Sequence, residues 1–233
     1  IFIFDFSCSS KAFRLIFSGD PEVFGITLLT LRVSGMATLI SLLLGLPLGT
    51  IIGLCHFPGR KFILSIINSS MGLPPVVVGL WVSIFLWRSG PFGFLNIMYT
   101  PTAIIIAQSV IACPIIIGLS AAALQQTSEK IRLQIRALGA NKFQYLLLLL
   151  GEIKLSLMAA VIAGFGAVIS EVGASMAVGG NIKGYSRVLT TATVLEVSKG
   201  QFDVAIALSI ILCVLAFTVT AILTMLQQKR QGG

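Results

Sequence analysis

The chain has 233 residues, of which 56% are hydrophobic and only 10% are charged, and its mean hydropathy is +1.01. Soluble globular domains are less apolar than this, so the composition predicts a protein that crosses a membrane several times. The net charge of +8 does not indicate nucleic-acid binding, because basic residues in short loops between membrane helices serve to orient the chain.

Residues 1–19 combine aromatic and charged side chains and are too short to span a bilayer, so they are predicted to lie at the membrane interface. Residues 20–228 form the predicted transmembrane domain, and residues 229–233 a cytoplasmic tail. The domain begins with Asp20-Pro21-Glu22, a sequence typical of a helix start. Its apolar runs predict an all-α protein with about five transmembrane helices, at residues 23–55, 62–87, 101–124, 155–178 and 202–226.

The loops predict an orientation for these helices. The short basic loop at 56–61 and the polar loop at 127–154 should be cytoplasmic, whereas 88–100 and 179–201 should be external. More Lys and Arg fall in the predicted internal loops than in the external ones, which favours an external N-terminus and a cytoplasmic C-terminus.

Two features of the apolar runs predict helix geometry. Gly45, Gly49 and Gly53 recur every four residues, which favours close approach of another helix. Pro74 and Pro75 in the second run must kink or break that helix. Irregular backbone at membrane depth lies inside protein or beside a watery cavity, so lining of a transport pathway and simple kinking both stay open.

Arg32 and Glu171 are charged residues within apolar runs, both towards the predicted external side. Intramembrane charges are usually paired or face a cavity, so one hypothesis pairs them near an outer gate. The alternative is that Glu171 accepts hydrogen bonds from the backbone of the Gly179-Gly180-Asn181 turn while Arg32 reaches outwards. Ser175, spaced four residues after Glu171, is predicted to share the face that carries Ala163 and Ala167 and to line either a helix contact or the pathway.

The start of the second predicted external loop, residues 179–187, contains turn residues and two cations. Its candidate binding residues are Asn181, Lys183, Tyr185 and Arg187. Backbone donors and cations in such a loop can attract an anion, or contact a protein that delivers one, and the second role is the preferred prediction.

The polar loop at 127–154 has secondary structure of its own. Thr127 or Ser128 can cap a short helix that ends before Gly139, and Asn141 can cap a second helix. The first helix, Ser128 to Leu138, carries an apolar stripe of Ile131, Ile135 and Leu138, with Arg132 and Arg136 beside it. This stripe predicts either a docking surface for a partner or a helical hairpin that rests on its own membrane domain.

At this point the sequence resembles the integral-membrane subunits of ATP-binding-cassette importers. Those subunits carry a cytoplasmic loop with a Glu-Ala-Ala triplet, three further residues and a Gly, whose short coupling helix fits a groove in the ATPase. Ala137, Leu138, Gly139 and Ala140 match the Gly end of the pattern, while Leu133-Gln134-Ile135 occupies the positions of the acidic triplet. The resemblance assigns the coupling role to Ile131, Arg132, Ile135, Arg136, Leu138, Gly139 and Ala140.

Four segments resemble the tungstate and molybdate type of oxyanion importer, most closely the tungstate branch: MGLPPVVVGL (71–80), RSGPFGFL (88–95), TPTAIIIAQ (100–108) and SEVGASMAVGGNIKGYSRVLTTA (170–192). The resemblance implies a type I importer permease in a prokaryotic plasma membrane, surrounded by lipid. It further implies a homodimer, two ATPase subunits that hold ATP and Mg, and an extracytoplasmic oxyanion-binding protein.

No catalytic residue, metal site or bound cofactor is predicted for this chain. It contains no G-x-x-x-x-G-K-[ST] sequence, so a partner must hydrolyse any ATP that is used. The single histidine, His56, has no ligand partner at metal-binding spacing. The alternative function is a stand-alone secondary transporter coupled to an ion through Glu171.

Overall fold

The computed structural model describes residues 21–229. The predicted interfacial segment, the cap at Asp20 and the end of the cytoplasmic tail lie outside the described residues. Within the described range the chain is helical and contains no strand, which confirms the all-α prediction. The helices are α1 (Pro21–Leu54), α2 (Arg60–Ser70), α3 (Pro75–Leu86), α4 (Pro101–Gln126), α5 (Glu129–Ala137), α6 (Lys142–Glu152), α7 (Lys154–Ile169), α8 (Gly173–Gly179), α9 (Leu189–Ser198) and α10 (Phe202–Lys229).

Three helices, α1, α4 and α10, are each long and apolar enough to cross a membrane. The α1 helix has 34 residues and continues through Pro47. At 1.5 Å per residue it is about 51 Å long, more than the roughly 30 Å thickness of a bilayer core. It therefore tilts in the membrane or extends beyond it.

The second predicted span is broken at its prolines. The chain bends by 103° between α2 and α3, and the two helices together are long and apolar enough to form a single span. Pro74 precedes α3 and Pro75 is its first residue, where a missing backbone N–H costs nothing. The prolines therefore end one helix and begin another.

The fourth predicted span, 155–178, is wrong as a continuous helix. The α7 helix ends at Ile169 and α8 begins at Gly173, so the predicted strip of Ala163, Ala167, Glu171 and Ser175 is divided between two helices. The α6 and α7 helices, bent by 67°, form the second broken pair that is apolar enough to span. With both broken pairs the chain has up to five spans.

The α1 and α4 helices pack in parallel through the predicted glycine face. A Cβ atom at Gly49 would lie 2.8 Å from the Ile117 carbonyl oxygen, and one at Gly53 would lie 2.9 Å from Leu124 Cβ. Further along the same contact, the Ser41 hydroxyl donates to the Ser109 carbonyl oxygen at 3.0 Å. Small residues thus allow the two backbones to approach closely, and the glycine prediction is confirmed.

The predicted external loop, 179–201, contains a helix that the sequence reading missed. The α9 helix packs on α1 and α10 through Ile26, Leu189, Ala192 and Leu208. Its first turn is closed locally, since the Val188 N–H donates to the Thr191 hydroxyl at 3.2 Å. Turn-forming residues on both sides of α9 led to its assignment as loop.

Candidate functional site

The polar loop at 127–154 folds as the predicted helical hairpin of α5 and α6. The Ser128 hydroxyl accepts from the Ile131 N–H at 3.4 Å, and Gly139 has a φ of 76°, in the left-handed region. At the start of α6, Asn141 and Gln144 exchange side-chain to backbone hydrogen bonds of 2.8 and 3.0 Å. These three termini confirm the predicted capping of both helices.

The apolar stripe of α5 divides between two surfaces. Ile135 is only 8% exposed and packs, with Ile131 beside it, on Leu124, Leu149 and Ile153. Two of the three stripe residues therefore hold the hairpin to its own membrane domain, which differs from their predicted role in contacting a partner. For these two residues the alternative prediction, a hairpin that rests on its own membrane domain, is correct.

A second face of α5 points away from the body of the protein. Leu138 is 83% exposed and Leu133 is 57% exposed, and Gln134 and Ala137 are exposed between them. Gly139 is also exposed, whereas Ala140 packs partly against the inner cluster. The apolar surface available to a partner is thus centred on Leu133 and Leu138.

The two arginines of α5 have different surroundings. The Arg132 guanidinium donates to the carbonyl oxygen of Leu124, near the end of α4. The Arg136 guanidinium is exposed and lies 5.4 Å from the centre of the Tyr145 ring on α6. Arg132 therefore joins the hairpin to a membrane helix, while Arg136 stays available at the surface.

Glu171 occupies the break between α7 and α8. Its Oε1 atom accepts from the Ala174 N–H at 3.0 Å, and its Oε2 atom accepts from the Ser175 N–H at 3.0 Å and from the Ser175 hydroxyl at 3.3 Å. The residue is 6% exposed. Amides in the first turn of a helix lack intrahelical partners and carry partial positive charge, so this buried carboxylate stabilises the start of α8.

The hypothesis that Glu171 pairs with Arg32 is wrong for this structure. Within residues 21–229, Arg32 is exposed on α1 and forms no ion pair. The alternative is correct in that Glu171 binds backbone amides. Those amides belong to α8 and not to the Gly179-Gly180-Asn181 turn, because the unforeseen helix break places unpaired N–H groups directly beside the carboxylate.

Gln108 supports the same break from α4. Its Nε2 atom donates to the Val168 carbonyl oxygen at 3.1 Å and to the Ser175 hydroxyl at 3.3 Å. The residue is 3% exposed. A lone amide side chain within an apolar run was the available signal for this role, and the sequence reading did not use it.

The two helix breaks adjoin each other. Gly173, the first residue of α8, contacts Val76 in the first turn of α3, and a Cβ atom at Gly79 would lie 2.5 Å from the Ala174 Cα atom. Further along, the Ser83 hydroxyl donates to the Ala177 carbonyl oxygen at 3.2 Å. The irregular backbone after Pro74 and the irregular backbone at Glu171 are therefore parts of one region.

The two cations at the start of the external loop, Lys183 and Arg187, are anchored to α1. Lys183 Nζ lies 2.7 Å from the Glu22 carboxylate, and Arg187 Nη1 lies 3.7 Å from it. The Lys183 side chain is 67% exposed, whereas that of Arg187 is 13% exposed. Only Lys183 therefore remains well placed to meet an incoming molecule, and the part played by Glu22 was not foreseen.

The other two predicted loop residues differ in exposure. Asn181 has a φ of 50°, and its Oδ1 atom accepts from the Thr191 hydroxyl at 3.0 Å, which ties the turn to α9. Tyr185 is 53% exposed and shares a cleft with Arg32. Asn181 is thus structural, and Tyr185 and Arg32 lie together on the outer surface.

Comparisons with known proteins agree on one class. The family model described as "Binding-protein-dependent transport system inner membrane component" matches residues 45–232. A tungstate uptake system permease protein, TupB, of Peptoclostridium acidaminophilum is 39% identical over 94% of this chain and 96% of its own length. TupB of Campylobacter jejuni is 34% identical over 89% of this chain and 87% of its own length.

A solved structure has the same fold. An inward-facing structure of the MetNI methionine ABC transporter matches with a TM-score of 0.72, over 87% of this chain and 93% of that chain. The identity in that match is 19%, so the similarity concerns the fold alone.

Proposed function

Because the chain belongs to the family of binding-protein-dependent transport system inner membrane components, we propose that it is the permease subunit of an ATP-driven oxyanion importer. Tungstate is the proposed substrate, with molybdate as a second one. The single observation that carries the substrate is the 39% identity with a tungstate uptake permease over nearly the whole of both chains.

The energy source in this proposal is a partner ATPase. The hairpin of α5 and α6 would transmit its movements through the exposed apolar pair Leu133 and Leu138, with Arg136 beside them. ATP and Mg would bind to that partner, and the permease would have no catalytic residues of its own. Since the hairpin is fixed to α4 through Arg132 and Ile135, a displacement of α5 would be passed to the membrane helices.

The transport pathway is proposed to pass the region where the two helix breaks adjoin. The short helices α3 and α8 pack through small residues, and their starts are defined by Pro74, Pro75 and Glu171. Short helices that follow irregular backbone can move as rigid bodies relative to their longer neighbours. In this proposal α3 and α8 move together and open the pathway alternately to each side.

The proposed assembly contains two copies of this chain, two ATPase subunits and an extracytoplasmic oxyanion-binding protein. In the most apolar 18-residue stretch of α10, only 11% of the residues are buried within the described chain. This helix therefore leaves apolar surface for lipid and for a second copy. Lys183 and Tyr185 are the exposed members of the four candidate residues in the external loop, and they are proposed to contact the binding protein.

The alternative function, a secondary transporter coupled to an ion through Glu171, is not favoured. Both carboxylate oxygens of Glu171 bind the first turn of α8. Exchange of a coupling ion at this group would disrupt the helix start in every cycle.

Uptake of tungstate into proteoliposomes tests the proposal. The permease would be reconstituted with its ATPase, and the binding protein would be supplied outside with radiolabelled tungstate. ATP enclosed with the ATPase should support uptake, and ATP with an ATPase inactivated in its nucleotide site should not. Equal uptake in the two cases would contradict an ATP-driven importer.

A further inference from the structure

A polar cavity of about 580 Å³ lies at the cytoplasmic ends of the membrane helices, beside the α5 helix. It is bounded by the end of α1, the start of α2, the end of α4 and one face of α5. Its charged and titratable lining residues are His56, Arg60, Glu129, Arg132 and Arg136. Three guanidinium groups thus surround a space that contains one carboxylate.

Two of these arginines are held in place by backbone. Arg60 donates from Nε to the Ile52 carbonyl oxygen at 2.7 Å and from Nη2 to the Gly53 carbonyl oxygen at 2.9 Å, at the end of α1. Arg132 donates from Nη2 to Leu124 near the end of α4. A guanidinium has five N–H donors in a planar fork, so each arginine keeps donors that these bonds do not use.

The positive charge in the cavity is only partly neutralised within the described chain. None of the three arginines takes part in an ion pair there, and the Nε atom of Arg132 is buried without an acceptor in residues 21–229. Each helix C-terminus contributes a partial charge of about −0.5, so two helix ends and Glu129 offset about two of three positive charges. A net charge of about +1 remains, and an anion would balance it.

The geometry points to a binding site for a tetrahedral oxyanion, and we propose that Arg60, Arg132 and Arg136 hold it. Planar guanidinium groups bind phosphate-like oxygens through paired N–H donors, and such charge-assisted bonds are about twice as strong as neutral ones. An anion held by these residues would connect the ends of α1 and α4 to α5. It would therefore stabilise the position of the helix that faces the proposed ATPase.

Two sources can supply this chemistry on the cytoplasmic side. One is a free oxyanion, either phosphate or the imported anion after its release. The other is the phosphate of an anionic phospholipid, since basic pockets between membrane helices on this side bind such headgroups. The two membrane helices that bound the cavity carry exposed apolar side chains, Ile51 on α1 at 53% exposure and Phe62 on α2 at 70%, which are available to lipid acyl chains.

The test uses the intact permease purified in detergent, without its ATPase. Titration calorimetry with sodium phosphate and sodium tungstate measures the free-anion arm. Native mass spectrometry with phosphatidylglycerol, against phosphatidylcholine, measures the lipid arm. We expect binding in one arm, weakened about tenfold or more by Arg136→Gln, because a hydrogen bond to a charged group contributes about 1.5–3 kcal/mol.

Two further variants make the test specific. Arg60→Gln should also weaken binding, whereas Lys142→Gln should leave it unchanged, because Lys142 is an exposed cation of the same hairpin that does not line the cavity. The Arg136 side chain makes no hydrogen bond within the described residues, and Arg136→Gln removes its contact with the Tyr145 ring. An unchanged unfolding temperature of the variant shows that a loss of binding does not come from unfolding.

Binding of phosphate or tungstate would support the site and identify a free oxyanion as the ligand. Selective retention of phosphatidylglycerol would support the site and identify a lipid headgroup. Absence of binding in both arms would overturn the inference, as would equal binding by the Arg136→Gln variant. If the variants weaken only association with the ATPase, the cations serve a carboxylate of that partner and the inference is also overturned. The measurement is independent of transport, so its failure leaves the proposed function untouched.

Discussion

The carboxylate of Glu171 accepts two hydrogen bonds from Ser175, one from its backbone N–H at 3.0 Å and one from its hydroxyl at 3.3 Å. Together with the bond from the Ala174 N–H, these contacts satisfy the start of α8 inside the membrane domain. A residue that looks like a coupling group in the sequence is thus a structural cap. The polar contacts also explain how the chain tolerates an interrupted helix there.

Replacing Glu171 should therefore lower the stability of the fold, and we expect no change in the ion dependence of transport. In Glu171→Ala, buried amides lose their acceptor, at a cost of about 1–3 kcal/mol. Glu171→Gln keeps one oxygen acceptor and should lose less. Thermal unfolding in detergent, followed by circular dichroism, measures both variants.

Ser175→Ala is the matched control, because it removes the hydroxyl with its contacts to Glu171 and Gln108 and leaves the backbone bond to Glu171 in place. We expect its unfolding temperature to lie closer to that of the unaltered protein than that of Glu171→Ala. Unchanged stability in Glu171→Ala would contradict the capping role.

The glycine contact between α1 and α4 gives a second prediction. In Gly49→Ala the new methyl group would lie 2.8 Å from the Ile117 carbonyl oxygen, and a backbone atom cannot rotate away. Overpacking costs about 1–3 kcal/mol, which exceeds the roughly 1 kcal/mol that alanine gains over glycine in a helix. The variant should unfold at a lower temperature.

Gly35→Ala serves as its control on the same helix. A Cβ atom at Gly35 meets nothing within 4 Å, so the helix-propensity gain of up to about 1 kcal/mol should prevail. If Gly49→Ala were as stable as Gly35→Ala, the close packing of α1 on α4 would be disproved.

The exposed and buried apolar residues of α5 should respond differently to substitution. Leu138→Asp and Leu133→Asp change side chains that are 83% and 57% exposed, so the permease should fold and lose association with the ATPase. Ile135→Asp places a charge in the buried cluster with Leu124 and Leu149 and should unfold the hairpin. Co-purification of the ATPase and protease sensitivity of the permease separate the two outcomes.

Loss of the fold in Leu138→Asp, or retained ATPase association in both exposed-face variants, would contradict this assignment. Lys142→Gln, on the exposed surface at the start of α6, is the control for a general effect of charge on the loop.

The external loop gives a fourth prediction, because Lys183 and Arg187 share one acid, Glu22. Arg187→Gln should destabilise the loop more than Lys183→Gln, since the Arg187 side chain is 13% exposed and that of Lys183 is 67% exposed. An exposed ion pair contributes only about 0–1 kcal/mol. Hydrogen exchange of residues 180–188 compares the two variants.

Binding-protein affinity then tests the role of Lys183. We expect Lys183→Gln to weaken docking of the binding protein while the loop keeps its protection from exchange. Unchanged docking would show that this lysine serves only to pair with Glu22.

Local signals were readable in the sequence where neighbouring residues satisfy the backbone. Ser128, Gly139 and Asn141 predicted the ends of α5 and α6 because their chemistry acts within three or four residues. Pro74 and Pro75 likewise predicted the break between α2 and α3. The five apolar runs predicted the number of candidate spans for the same reason, since length and hydropathy are local properties.

Features that depend on tertiary contacts were not readable. The break between α7 and α8 contains no proline. Its backbone amides donate to the Glu171 carboxylate, and its Val168 carbonyl oxygen accepts from Gln108 of a distant helix. The inward packing of Ile135 depends on Leu149 of α6 and on Ile153, which lies between α6 and α7. The position of Arg60, counted only as an orienting charge, depends on the carbonyl groups that end α1.

ATP-dependent tungstate uptake by proteoliposomes that contain the permease, its ATPase and the binding protein tests the central claim most directly. The account predicts uptake that requires ATP hydrolysis and the binding protein, and that is lost in Leu138→Asp although the permease remains folded. Uptake that continues without ATP, or that is driven by an ion gradient in the absence of the ATPase, would contradict it.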